Sequence, residues 1–117
     1  MSNIQQDIQE VQLTIEEAKE IIAMGDAIER LFKNRDFKKV VLEGYFEKEA
    51  VRYVKLLGDA NLTEKGREEI LRDMTGVGIF NYYLHMRRME ANHLREEVKQ
   101  HEDTLDELRQ MEAEGEE

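Results

Sequence analysis

The sequence predicts an all-α protein: a helical hairpin packed on a long C-terminal helix whose distal part is coiled-coil-like. Three observations carry this. The 117-residue chain has no proline and no cysteine, and proline is the residue that most strongly breaks a helix. Apolar residues recur three and four positions apart over three long stretches, the period of a helix face. Only "KNRDF" and "LGDANLTEKG" interrupt that pattern strongly.

The first main helix is expected at about 15–32. Thr14 and Glu17 have capping-box spacing, and Ile15, Ala18, Ile22, Gly25, Ile28 and Leu31/Phe32 follow on one face. The segment 1–13 ahead of it is expected to be weakly ordered. Ile4, Ile8 and Val11 make one apolar stripe there, but a short unsupported helix is marginal. Asn34 is placed to cap a second helix at about 35–57, with Asp36 in its first turn, where the macrodipole favours an acid. Gly44 inside that helix costs about 1 kcal/mol against alanine, so a kink or close packing is expected there. Gly58 marks its end, and Thr63 is a good N-cap for the next helix.

The third helix is expected from about Glu64 to about residue 112, roughly 70 Å of rod. Val77, Phe80, Leu84, Arg87, Ala91, Leu94, Val98, His101, Leu105 and Leu108 keep heptad spacing along it. A second stripe, Leu71, Met74, Gly78, Tyr82, Met86 and Met89, runs on another face of the proximal half. Two stripes imply packing on the first two helices. One stripe distally implies a partner chain, with Leu94, Val98, His101, Leu105 and Leu108 as the association seam. The core is expected at Phe37, Val41, Phe46, Phe80 and Tyr82. The expected organisation is a core domain at 14–93 and an acidic helical tail at 94–117 that frays at "EAEGEE".

"TGVGIF" (75–80) lacks the parts of a phosphate loop. No strand precedes it, no third glycine follows, and no Lys-Ser/Thr pair is present. Gly76 and Gly78 read instead as a patch where helices pack closely or kink. His85, His93 and His101 recur every eight residues. Glu90 and His93 form one Glu-x-x-His pair, but a di-iron bundle needs a second pair and more carboxylates, so no metal or other cofactor is expected. The only serine is Ser2, and without cysteine there is no Cys-His pair. The constellations an enzyme needs are missing.

Net charge is −10, which argues against general nucleic-acid binding. It is uneven: residues 96–117 hold ten acids and two bases, whereas 28–55 hold eight bases and five acids. The basic patch Arg30, Lys33, Arg35, Lys38 and Lys39 is the one candidate for contact with phosphate or nucleic acid. The asymmetry fits self-association or a basic partner for the tail. No apolar run is long enough for a membrane span, and no signal peptide is evident at the N-terminus.

"AIERLFKNRDFKKVVLEGYFEKEAVRYVKLL" and "REEILRDMTGVGIFNYYLHMRRME" resemble a group of small, largely uncharacterised acidic helical proteins of tailed bacteriophages. The resemblance covers about 27–95. It implies a phage protein from the particle-building gene cluster, located in the virion or host cytoplasm, and supplies no catalytic residues. The expected function is a non-enzymatic head-associated, connector or scaffold-like subunit, partnered by itself or other phage structural proteins. One alternative is a small acidic inhibitor of a basic host or phage protein. The other is a DNA-packaging subunit binding through Arg30–Lys39.

Overall fold

A computed structural model describes residues 2–115 and is all-α, with no strand among them. Its elements are α1 (Ser2–Lys33), α2 (Arg35–Phe37), a π-helical segment (Lys38–Glu49), α3 (Ala50–Leu57) and α4 (Glu64–Gly115). The chain divides into two compact units, residues 1–26 with 87–117 and residues 27–86. The division falls within both long helices.

In the first unit α4 packs on α1. Ile15 and Ala18 of α1 are buried with Val98 and Leu105 of α4, and Ile8, Val11, Ile22 and Leu94 pack against them. On α1 the inward positions 8, 11, 15, 18, 22 and 25 alternate steps of three and four, as do 91, 94, 98 and 105 on α4 with one position skipped. These are the two sides of a heptad seam. Lys19 reaches Glu102 at 3.9 Å and Asp26 pairs with Arg95. Going down α1 thus means going up α4, so the two helices are antiparallel.

This corrects two expectations. The segment before residue 14 is helical from Ser2 onward, because Ile8 and Val11 extend the seam and the distal half of α4 covers them. Thr14 consequently lies inside the helix. Its hydroxyl donates to the Glu10 carbonyl oxygen at 2.9 Å instead of capping a helix start. The distal seam is also covered within the chain, where Val98 and Leu105 are buried with Ile15 and Ala18 of α1. The apolar helix it requires is supplied by α1 of the same molecule.

In the second unit the breaks fall where the sequence places them. The Phe37 amide donates to Asn34 Oδ1 at 2.9 Å, closing the N-terminus of α2. The Gly66 amide donates to Thr63 Oγ1 at 3.0 Å at the start of α4. Gly58 ends α3 with an ordinary right-handed backbone, φ −83° and ψ −3°, and its amide donates to the Lys55 carbonyl oxygen at 3.2 Å. The Asn61 amide then donates to Asp59 Oδ1 at 2.9 Å, turning the chain toward α4. Thr63→Ala removes the side-chain acceptor at the head of a 52-residue helix. It is expected to lower stability by about 1 kcal/mol in chemical denaturation.

The second helical stretch is wider than expected over Lys38–Glu49. A π-helix bonds i to i+5, so one face collects residues about four to five apart. The half-buried positions Phe37, Val41, Phe46 and Ala50 are spaced four, five and four, and buried Tyr53 and half-buried Leu57 resume α spacing. A straight α-helix continued from Phe37 and Val41 would bring Lys48 and Arg52 onto that face and turn Phe46 away. The wider turn keeps the apolar residues in register. Gly44 lies within it, and a Cβ there would sit 3.0 Å from the Lys39 carbonyl oxygen.

Helix α4 is continuous through Gly76 and Gly78 and runs to Gly115. Of the expected frayed end, Glu116 and Glu117 lie outside the described residues.

Candidate interaction surfaces

Five of the eight aromatic residues of the second unit form two groups. Phe46 meets Phe80 edge to face at a ring separation of 5.4 Å, and Tyr45 lies 5.8 Å from Phe46 and 6.4 Å from Phe80. Phe32 stacks on Phe37 at 6.2 Å and lies 5.8 Å from His85. Offset and edge-on pairs at these separations hold helices together beyond their apolar area. Ile28, Tyr53, Val77 and Leu84 are the buried residues of this unit.

Tyr82, expected in the core, is 66% exposed. It lies two residues from Leu84, about 200° round the helix, so burying Leu84 turns Tyr82 out. Phe80 keeps its contacts with Tyr45 and Phe46 but is 39% exposed. Of the second stripe within this unit, Leu71 and Tyr82 face solvent and Met74 and Met86 are half-buried. Ile79, beside that row, is 64% exposed. Within this unit the stripe expected to pack inside the chain is therefore only partly covered, and Leu71, Gly78 and Tyr82 of it are surface.

Gly76 and Gly78 lie on this exposed stretch, and a Cβ at either would meet nothing within 4 Å. The close helix approach expected of them is not made within the chain. It is made at Gly25 in the first unit, where an added Cβ would overlap the Ala91 methyl and lie 3.7 Å from the Arg87 carbonyl oxygen.

The seam residues Val98 and Leu105 are buried, and Leu94, His101 and Leu108 are half-buried. Around them the first unit carries seventeen acids and six bases, a net −11, whereas the second carries ten acids and eleven bases, a net +1. The five cations Arg30, Lys33, Arg35, Lys38 and Lys39 are all exposed, straddling the turn at Asn34. Among the described residues none of them pairs with a carboxylate.

The Glu-x-x-His pair is engaged elsewhere. Glu90 lies 3.3 Å from Arg87, and His93 lies 3.1 Å from Glu97. Among the described residues no three His, Asp or Glu side chains gather as a metal site.

The shifted ionisable groups sit at the junction of the π-helical segment and α3. Arg52 donates to both oxygens of Glu49 at 2.9 and 2.8 Å, and its guanidinium lies 4.9 Å over the Tyr53 ring. The Arg52 hydrogen bonds hold the Glu49 carboxyl below its usual range, and Glu49 in turn raises Arg52. Burial, then the Glu49 hydrogen bond, pushes the Tyr53 phenol up. This forked pair is a brace across the change of helix type.

Fold and surfaces together define an all-α helical-hairpin protein with an acidic antiparallel unit and an apolar face on the other unit. No protein-family profile, curated protein or solved structure matches the chain. No described helix is long and apolar enough to cross a membrane.

Proposed function

We propose that the chain is a non-enzymatic assembly part of a tailed-phage particle, a head-associated, connector or scaffold-like subunit that works by helix–helix association. The observation that carries the reading is the row Leu71, Gly78, Ile79 and Tyr82 on the exposed side of α4. Single exposed apolar residues are ordinary, but a row of them on one helix face marks an interaction surface. Gly78, where an added Cβ would meet nothing within 4 Å, lets a partner helix come close to the backbone between Leu71 and Tyr82. The resemblance of 27–95 to tailed-phage proteins supports the particle context. The acidic unit supplies long-range steering toward a basic surface.

Ile79→Glu with Tyr82→Glu tests this. Both side chains are exposed, so the variant is expected to keep the far-UV circular dichroism of the wild type. A buried unpaired carboxylate is costly at an apolar contact, so its incorporation into virions or assembly intermediates is expected to fall by about ten-fold or more. A wild-type chain absent from both would sink the particle reading.

A second reading has its own support. The first unit satisfies its apolar seam internally and presents a net −11 surface, which suits a small acidic protein occupying a basic site. Truncation near residue 95 would uncover Ile8, Val11 and Ile15 as well as remove charge. Asp103→Asn, Asp106→Asn and Glu107→Gln together separate the two effects: loss of a soluble complex with incorporation intact favours this reading.

A further inference from the structure

We propose that the basic surface sought by the acidic unit is the cationic corner at Asn34 on a second copy of this chain. This rests on the assembly reading and names its partner. The carrying observation is the segregation of charge, −11 on one unit and five unpaired exposed cations within ten residues on the other.

The two surfaces fit chemically. Asp103, Asp106 and Glu107 are exposed on α4 at spacings of three and four, so they lie on one side of the helix. Among the described residues none of them has a cationic partner. The corner is helical on both sides of Asn34, with Arg30 and Lys33 in the last turn of α1 and Lys38 and Lys39 just beyond α2. Glu29 and Asp36 are the acids interspersed with them. Leu31, 42% exposed, adds apolar area at the same place.

The overall charge separates a protein carboxylate from a phosphate polyanion as the occupant. A nucleic acid reaching the corner must approach a chain of net −10, and the acidic unit repels it. A second copy brings carboxylates and has its own surplus of negative charge relieved on docking. The contact joins two different surfaces. Made in one direction it is heterologous and propagates head to tail into open rows or rings; made reciprocally it closes a two-fold dimer.

Two blocked variants test it. Lys33→Glu, Lys38→Glu and Lys39→Glu remove the corner and leave the acidic row. Asp103→Asn, Asp106→Asn and Glu107→Gln remove the row and leave the corner. All six positions are exposed, and circular dichroism checks that both variants fold. The fluorescently labelled corner-blocked variant is titrated with either variant and read by anisotropy. The row-blocked variant is expected to bind it about ten-fold or more tighter than the corner-blocked variant does. That binding should weaken about ten-fold between roughly 50 and 300 mM salt. Equal binding by both, or none at low salt, overturns the proposal. If the Ile79→Glu, Tyr82→Glu variant still loses incorporation, the assembly reading stands without it. No binding between the variants, with a DNA duplex held by the row-blocked one alone, overturns it in favour of phosphate recognition.

Discussion

Leu105→Ala is expected to lower the stability of the chain by about 2–4 kcal/mol while leaving its molar mass unchanged. Leu105 is 8% exposed and sits in the cluster with Ile15, Ala18 and Val98. Truncating a buried leucine loses the transfer free energy of three carbons and leaves a cavity that surrounding helices close only in part. The seam has one layer of side chains from each helix, with solvent on both flanks. Relaxation is therefore easier than in a deep core, and the lower part of the usual range applies. The two readouts separate the possible partners of this seam. If a second chain covered it, the substitution would lower the mass seen by light scattering, and stability would depend on protein concentration. With α1 covering it, the midpoint in urea moves and the mass does not. Light scattering at several concentrations, alongside denaturation followed by circular dichroism, checks both.

The seam shows how far the sequence reaches. A three-four row on α4 states that an apolar helix must lie against it, but the same row suits a second chain or a distant part of the same one. The deciding signal lay at the other end of the chain. Ile8, Val11, Ile15, Ala18, Ile22 and Gly25 continue one heptad row without a break across Thr14. The capping pattern at Thr14 and Glu17 points locally to a helix start there, although a seam contact is worth more than a cap. Breaks were legible because they depend on few residues: Asn34 and Thr63 each bond the amide three positions on. The π-helical segment was written in the spacing of Phe37, Val41, Phe46 and Ala50 but looks like a broad α face when read at a single period. The exposed row on α4 was visible as a stripe. Which of two stripes turns inward depends on what packs there, and periodicity does not contain that. The charged surfaces were legible in position from composition alone. That one is a self-contained antiparallel pair follows only from the packing.

The glycines give the sharpest contrast between positions that look alike in the sequence. Gly25→Ala is expected to destabilise the chain by about 1–3 kcal/mol, despite a helix-propensity gain of up to about 1 kcal/mol. Ala91, fully buried at 0% exposure, fills the space where the new methyl would go. The backbones of α1 and α4 must move apart there, because neither methyl has a rotamer to escape into. That separation loosens the neighbouring contact of Ile22 with the core cluster. Gly76→Ala and Gly78→Ala meet open space. Each is expected to raise stability by up to about 1 kcal/mol through the lost backbone freedom of the unfolded chain. Denaturation midpoints of the three variants check the opposite signs. A destabilising Gly76→Ala or Gly78→Ala would mean that a helix already lies against the side of α4 that the substituted glycine occupies. A neutral Gly25→Ala would mean that α1 and α4 do not approach as closely as the buried Gly25–Ala91 pair requires. Pairing Gly25→Ala with Ala91→Gly separates overlap from helix propensity. The second change removes the obstructing methyl, so the double variant should recover part of the loss even though glycine at 91 is the poorer helix former.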